Sequence, residues 1–306
     1  MTKNLHSDIT ILRQAMLFSL TRRVWSNRQQ ADKVHIQTTG DKKKLNLTKQ
    51  LLNSPELDAI NEHLNEVYKW SLNRAMPSTT IRRGIYFVKQ TMISEFEARL
   101  IAAQRKLRDV LVPAFIRTYP LCVLAMRQPA AEGGLGDLFE ETDYPSIEEL
   151  SKPDVFSIEW SWLALSVPDE LPEEVREREV KKLRDSFKQA QEEIRWALRE
   201  AFKQLVDHAV ERLTPGPDGK VKEFRNSLVT NFEDFFDTFH ARDLMDDAEL
   251  QQVVAQAREI VRGLPDPKKL RQQADLQYDT AKSFAKVGKV LDTMVATKPT
   301  RLFDLE

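Results

Sequence analysis

The hydrophobic positions along the chain follow two periods, and the shorter period marks three strands. Apolar and polar residues alternate imperfectly over 16–25, and a short apolar run occupies 84–88. The clearest alternation lies in 155–167, where one face carries Phe156, Ile158, Trp160, Trp162 and Ala164. Such alternation is typical of strands with one buried and one wet face, so these segments predict a small antiparallel sheet covered by helices.

The longer period, of three to four residues, predicts two helices in the N-terminal half. Ser54, followed directly by proline, supplies an N-cap for a helix that ends before Pro77. A second amphipathic helix begins near Thr91 and runs to about Phe115. We expect Pro113 to kink this helix, because proline removes a backbone hydrogen bond and clashes with the preceding turn.

Further helices are marked by their ends. Residues 146–149 have the spacing of a capping box, with serine first and glutamate fourth. Residues 246–249 repeat that spacing with Asp246 as the cap, which predicts a helix that Gly263 ends. An Asp-Pro pair at 266–267 predicts the start of a last helix.

The longest predicted helix begins at Pro172 and ends near Leu213. Its apolar positions are spaced alternately by three and four residues: Val180, Leu183, Phe187, Ala190, Ile194, Ala197 and Ala201. This spacing resembles the seam of a coiled coil, and the helix would be about 60 Å long. A Pro- and Gly-rich turn at 214–219 precedes a second helical pattern, so 172–240 predicts a helical hairpin that projects or packs along a partner.

These elements predict an α+β fold that is predominantly helical. It combines a small antiparallel sheet with a long, coiled-coil-like helical hairpin and a C-terminal helical segment. Two regions are expected, an N-terminal α+β region over 1–168 and a helical region over 169–306, which could also form one continuous domain. The apolar fraction of 41% and the mean hydropathy of -0.48 are sufficient for a folded core.

Charge is distributed unevenly along the 306 residues. The net charge is -1, but residues 1–118 contain 20 basic and 10 acidic residues, so the remainder carries a surplus of acidic ones. The basic part could bind a polyanion, or the two parts could neutralise each other within the fold or between subunits. The N-terminal part is therefore described as basic and the C-terminal helical part as acidic.

The basic part supplies candidate nucleic-acid-binding residues. Cations on a sheet with interleaved aromatic rings can follow a phosphate backbone and stack on bases. The alternative is a solvated basic face that docks on acidic residues, with the tryptophans in the core. The candidate residues are Arg22, Arg23, Trp25, Arg28, Lys42, Lys43, Lys44, Arg82 and Arg83.

Candidate catalytic and metal sites are weak. The glycines at 133–136 lack the lysine of a phosphate loop and are flanked by acids, and Cys122, the single cysteine, excludes an internal disulfide and a Cys-based zinc site. Asp237 and His240 share a helix face among further acids, which leaves a metal-dependent nuclease as an outside alternative to a solvated helix end. Glu159 is interpreted as a cross-strand partner of Arg22 or Arg23. We expect no catalytic residue, metal or cofactor.

The cellular location is inferred from composition. Uninterrupted apolar runs are only a few residues long, as at 121–126, and the first residues show no signal-peptide pattern. We therefore expect no membrane association and a cytoplasmic location.

Eight short stretches of the sequence carry a resemblance to a known family: 24–28, 43–45, 95–96, 115–120, 156–160, 213–219, 224–228 and 239–243. Together they resemble an uncharacterised family known as domain of unknown function 3150. The resemblance covers about residues 15–262, and where the family has a small residue and a glycine after the tryptophan, this chain has Ser26 and Asn27. It implies a protein of phages, plasmids or integrative elements, in a bacterial host, encoded near recombination functions and MoxR-like AAA+ ATPases. It implies no catalytic residue.

The leading functional hypothesis is a non-enzymatic accessory protein of a phage or mobile genetic element. It would self-associate or dock a partner such as a MoxR-like AAA+ ATPase through the hairpin, with Phe187, Ile194 and Phe202 at the centre of the protein-binding surface. The alternative is an accessory factor of recombination or replication that binds single- or double-stranded DNA through the basic N-terminal residues.

Overall fold

A computed structural model of the chain describes residues 10–31, 46–77, 81–214, 226–265, 273–297 and 299. The strands are β1 Ala15–Arg23, β2 Arg28–Gln30, β3 Thr48–Gln50, β4 Met76–Pro77, β5 Ile85–Lys89 and β6 Ser157–Leu163. The α-helices are α1 Thr10–Gln14, α2 Pro55–Asn73, α3 Ile93–Lys106, α4 Val112–Met126, α5 Ile147–Leu150, α6 Glu173–Leu213, α7 Asn226–Arg242, α8 Ala248–Arg262 and α9 Ala274–Val295. The prediction of an α+β, predominantly helical fold is confirmed.

The main sheet contains the three predicted strands and one short addition. Its strand order is β4-β5-β1-β6. β1 and β5 are antiparallel, with Ala15 opposite Lys89 and Ser19 opposite Ile85, and β4 pairs with the other edge of β5. β2 and β3 form a separate antiparallel ribbon, in which Arg28 lies opposite Gln50.

Two predicted helix caps, at Ser54 and at 146–149, are observed, and the cap predicted at Asp246 is shifted. The helix start predicted at 266–267 lies outside the described residues. The Leu57 N–H donates to Ser54 Oγ over 3.2 Å, as expected for an N-cap, and residues 146–149 form a complete capping box. The cap of α8 is Asp247, not Asp246: its carboxylate accepts from the Leu250 N–H. The prediction of Asp246 is wrong because that residue adopts a left-handed turn, with φ at 48°, before the helix begins.

The helix predicted from Thr91 to Phe115 is longer than expected and is interrupted at a different place. A π-helical turn at Leu107–Leu111 joins α3 to α4, and α4 continues to Met126. Pro113 lies in the first turn of α4, where a missing N–H is tolerated. The irregularity therefore precedes the proline.

The chain divides into two compact units, and both are discontinuous in sequence. The first unit comprises Met1–Ser19, Leu72–Ile93 and Trp162–Glu306, and the second comprises Leu20–Ser71 and Ser94–Ser161. The chain passes between the units at four places, after Ser19, Ser71, Ile93 and Ser161, and none of these lies between residues 168 and 169. Each unit therefore combines residues from the basic N-terminal part and the acidic C-terminal part of the sequence.

The core of the first unit is built around α6. Helices α7 and α9 pack on α6, and α8 packs on α7 and α9. The buried residues Leu17 and Phe87 of the sheet belong to the same core. Phe202 stacks on Phe235 at a centroid distance of 4.8 Å. The expectation that α6 projects or packs along a partner is wrong for its apolar seam, because this face is covered within the same chain.

The core of the second unit lies between α2 and the α3–α4 segment. Trp70 contacts Phe96 at a centroid distance of 4.9 Å, and Phe115 of α4 packs edge-on against Phe156 at 5.6 Å. His63 is buried, and its Nε2 lies 3.0 Å from the Ala103 carbonyl oxygen. One side of α3–α4 is thus fixed by aromatic packing.

Candidate interaction surfaces

The predicted protein-binding residues are buried. Phe187, Ile194 and Phe202 are at most 4% exposed and belong to the core of the first unit. A partner could reach them only by displacing helices of this same chain. Their proposed role as the centre of a docking surface is therefore corrected: the heptad spacing of α6 serves intrachain packing.

The predicted nucleic-acid-binding residues fall into different parts of the molecule. Arg22, Arg23, Trp25 and Arg28 belong to the second unit, whereas Arg82 and Arg83 belong to the first. Lys42, Lys43 and Lys44 lie outside the described residues. The described arginines of this set are all exposed.

Several of these side chains already have partners. Arg22 donates to the Asn65 side chain and lies 4.8 Å from the centroid of the Tyr68 ring. Arg23 lies 3.9 Å from Glu159, so the cross-strand pairing predicted for Glu159 is confirmed. Trp25 is half-buried beside Phe115, with centroids 6.4 Å apart, and is therefore partly a core residue.

The charge asymmetry of the sequence disappears in the two units. By sequence the first unit contains 30 basic and 29 acidic residues, and the second contains 16 and 18. Individual pairs show how this arises: buried Lys49 lies 2.7 Å from Asp143, and buried Lys89 lies 2.7 Å from Asp246. This distribution favours neutralisation within the fold over a surplus of free cations.

Two of the acidic residues near His240, Asp243 and Asp247, have structural roles. The Asp243 carboxylate is buried and accepts from the Asp247 N–H and the Gln251 side chain. Asp247 caps α8 and forms a bidentate pair with Arg199, at 2.7 and 2.9 Å. Among the described residues, no group of three or more His, Cys, Asp or Glu side chains is placed to hold a metal ion.

An exposed apolar strip runs along α4 of the second unit, starting at the π-helical turn. Val110 is 57% exposed, Leu121 68% and Leu124 54%. Arg117 and Pro120 are exposed between them, while Phe115, Tyr119 and Met126 are buried on the other side of the helix. We call Val110, Leu121 and Leu124 the apolar ridge.

The surroundings of the apolar ridge are basic. Residues 98–128 contain six basic residues and one acidic residue, Asp109. Arg105, Lys106, Arg108 and Arg117 are exposed. The surface therefore combines protruding aliphatic side chains with a local excess of positive charge.

This helical segment also meets the length and composition of a membrane span. Of the described residues only the stretch 90–126 does so, with a mean hydropathy of 1.5 over its most apolar 18 residues, 17% of which are buried. The sequence-based expectation considered only uninterrupted apolar runs. This stretch is apolar on average but is interrupted by charged residues such as Arg117, so that expectation missed it. Arg117 within the segment and the packing of Phe115 against Phe156 disfavour a lipid-surrounded helix.

A cleft of about 730 Å³ lies in the first unit. One face of α6, one face of α7 and the segment 72–77 form its walls. The polar lining side chains include Gln204, Asn231, Asp234 and Arg242. Arg242 is half-buried, and the loss of water on burial lowers the pKa of its guanidinium.

Sequence reasoning missed both the apolar ridge and the cleft. The apolar run at 121–126 was visible, but α4 is apolar around most of its circumference, so the buried face could not be identified. Arg242 ends a helix whose partners come from distant segments. The signal for the ridge was present in the low acidic content of 98–128.

Comparisons with known proteins give no relative. No protein-family model, no curated protein and no solved structure matches the chain.

Proposed function

We propose that the protein is a non-enzymatic accessory protein that acts by binding another protein at the apolar ridge. The observation that supports this is the exposure of Leu121 and Leu124 on a helix whose opposite face is tightly packed. Rigid, exposed aliphatic side chains on a fixed helix are typical of docking surfaces, because covering them removes apolar area from water without a large ordering cost.

The charge around the ridge specifies the chemistry of the partner. Arg105, Arg108 and Arg117 are exposed along the same helical segment, and Asp109 is the single acid of residues 98–128. An amphipathic helix with leucines facing the ridge and glutamates at its flanks would bury the apolar groups and pair with these arginines. We therefore commit to an acidic amphipathic helix of a partner protein.

An anionic membrane surface fits the ridge less well. Helices that lie in the interface normally present a broad face of leucines and aromatic rings. Here the exposed apolar side chains are few, and Arg117 and Pro120 lie among them. A partner helix needs only a narrow strip of apolar side chains to dock on. One of its glutamates can then pair with Arg117.

The biological setting rests on the resemblance to domain of unknown function 3150. It suggests a phage or mobile genetic element in a bacterial cytoplasm, and a MoxR-like AAA+ ATPase as the partner that carries the acidic helix. The hairpin seam cannot be the docking surface in this proposal, because its residues are buried.

The test uses a defined peptide. A labelled helical peptide with leucines at the i, i+3, i+4 and i+7 positions and glutamates at its flanks is titrated with the full chain, and fluorescence anisotropy is measured. We expect saturable binding that weakens with salt and decreases about tenfold or more in the Leu121→Asp variant. Val290→Asp, at an exposed valine of α9, is the matched control and should bind as the wild type does.

Other outcomes assign the ridge to a different occupant. Equal binding of a lysine-flanked peptide, or no binding at all, would contradict the proposal. A wild-type oligomer in light scattering that Leu121→Asp dissociates would show that a second copy covers the ridge. Ridge-dependent sedimentation with vesicles of anionic phospholipid would assign it to a membrane surface. Co-purification with a purified MoxR-like ATPase, lost in Leu121→Asp, would identify the partner family.

A second candidate function is nucleic-acid binding by the first unit. Arg82 and Arg83 are exposed next to Gly84, and within the described part of the chain neither forms an ion pair. We propose this alternative for single- or double-stranded DNA. Affinity for an oligonucleotide should fall steeply with salt and decrease in the Arg82→Gln/Arg83→Gln variant. Salt-independent or unaltered binding would exclude it.

A further inference from the structure

The cleft of the first unit has the dimensions of a ligand site. Its volume of about 730 Å³ lies in the usual range for pockets that hold small molecules. Its apolar lining comes from Met76, Leu205 and Phe235, and its polar lining comes from a few separate side chains. A small number of polar groups in an apolar wall is the arrangement that orients a bound molecule.

Arg242 is the one guanidinium of this wall that lacks a counter-charge among the described residues. Its guanidinium lies 5.8 Å from the centroid of the Phe235 ring, and no described residue forms an ion pair or a hydrogen bond with it. Arg74 lines the same cleft but is already engaged within the protein. A desolvated cation without a partner is costly, and burial accordingly lowers the pKa of Arg242.

The charged side chains that line the cleft differ in sign along its length. Asp234 and Arg242 both line it from α7, and their separation of eight positions corresponds to about 12 Å along the helix axis. Asp237 also lines the wall. A dianion such as phosphate would be repelled by these two carboxylates, whereas a single negative charge near Arg242 would be repelled less.

We propose that this cleft binds a small organic carboxylate whose anionic group pairs with Arg242. The ligand carries a cationic or hydrogen-bond-donating group directed toward Asp234. An arginine fork donates two parallel N–H bonds to a carboxylate, so the pair would be bidentate. The binding of this molecule is independent of the protein partner proposed at the apolar ridge, which belongs to the second unit.

A purely structural role for Arg242 makes a different prediction. Its guanidinium could serve only to interact with Phe235 and with the C-terminal carbonyls of α7. In that case Arg242→Met would lower the melting temperature in the absence of ligand. For a binding residue we expect no such loss, since methionine keeps the apolar stem and removes an unpaired charge.

The experiment measures binding of defined probes to the full chain. Acetate, glycine, 4-aminobutyrate and inorganic phosphate are titrated by calorimetry, and the melting temperature is recorded with each. We expect saturable binding of a carboxylate, tightest for the zwitterion with the longer span, and a rise in melting temperature. Arg242→Gln should weaken this binding by about tenfold or more. Arg242→Lys, which retains the charge without the fork, should show a smaller loss.

Controls and contrary results are equally defined. Arg178→Gln removes an exposed arginine of α6 outside the cleft and should bind as the wild type does. The proposal is overturned if no carboxylate probe binds at concentrations up to about 10 mM, or if Arg242→Gln leaves binding unchanged. Tighter binding of phosphate than of every carboxylate would overturn the ligand class. A destabilised Arg242→Met chain that binds the probes normally would assign Arg242 to structure alone.

Discussion

Lys89 Nζ lies 2.7 Å from Asp246 Oδ1, a contact between residues 157 positions apart. The same ammonium donates to the Asp243 carbonyl oxygen over 3.0 Å. Lys89 is a buried member of β5, and Asp246 holds the left-handed turn that precedes α8. One side chain from the basic part of the sequence thus joins the sheet to the acidic α7–α8 turn within the first unit.

Replacing Lys89 with methionine should destabilise the first unit. The free energy of unfolding should fall by about 2–4 kcal/mol, because the carboxylate and the Asp243 carbonyl lose a buried donor. Chemical denaturation provides the measurement, with Lys289→Met at an exposed lysine as the control. In the Lys89→Met/Asp246→Asn double variant the losses should be less than additive. Additive losses would mean that the two groups do not interact.

Asp247 should make stability depend on acid pH. Burial alone would raise its pKa, but hydrogen bonds from Arg199 and the Leu250 N–H outweigh this and hold the pKa below its ordinary value. Stability from this group is therefore present above pH 3.8, the ordinary value, and is lost as pH falls through the lowered one. Asp247→Asn should cost about 1–3 kcal/mol at neutral pH and reduce the loss on acidification.

The matched variant for Asp247 is Asp185→Asn, at an exposed position of α6. Its unfolding free energy should follow that of the wild type from pH 7 to pH 3. Parallel acid profiles of Asp247→Asn and the wild type would show that the Arg199 pair does not govern the acid response.

The strands could be predicted from the sequence because their signal is local. The alternation that ends in Trp160 and Trp162 depends only on which face of one strand is buried. The partner of α6 could not be predicted in the same way. The heptad positions of Ile194 and Phe202 would be the same in an intrachain core and in a dimer. Only the packing of α6 on α9, which is distant in sequence, identifies the intrachain core.

The candidate sites were less predictable because they depend on which residues remain uncovered. Arg82 and Arg23 look alike in sequence, yet among the residues that the structure describes a carboxylate, that of Glu159, lies near Arg23 and none lies near Arg82. The exposure of Leu121 follows from aromatic packing at Phe115 on the opposite side of α4. Which side chains remain exposed or unpaired depends on the assembled core, and no local sequence pattern predicts it.

The burial of the α6 seam leads to a contrast between two apolar truncations. Phe202→Ala should lower the free energy of unfolding by about 3–5 kcal/mol, since it opens a cavity beside Phe235. Leu121→Ala should change it by no more than about 0.5 kcal/mol, because that side chain is largely in water. Urea denaturation distinguishes them. If Phe202→Ala left the stability unchanged but altered the association of the chain with itself or a partner, the apolar seam of α6 would be a binding interface after all.

Two tyrosines of the second unit, one buried and one half-buried, should make it sensitive to alkali. Tyr119 donates to the Pro145 carbonyl and Tyr144 to the Leu51 carbonyl, over 2.8 and 3.0 Å. Burial raises the pKa of each to about 12, and the charge of Asp143 adds to the shift at Tyr144. In the unfolded chain both would ionise near 10.0.

Because the folded pKa values are raised, the stabilisation is complete below pH 10 and is lost as the pH rises through 12. Phenolate absorbance during a pH titration should therefore include two groups that ionise late. Tyr144→Phe should remove one late group, whereas Tyr278→Phe, at an exposed tyrosine, should leave both late groups in place. If all tyrosines ionised together near pH 10 while the chain remained folded, the carbonyl partners of Tyr119 and Tyr144 would have to be accessible to water.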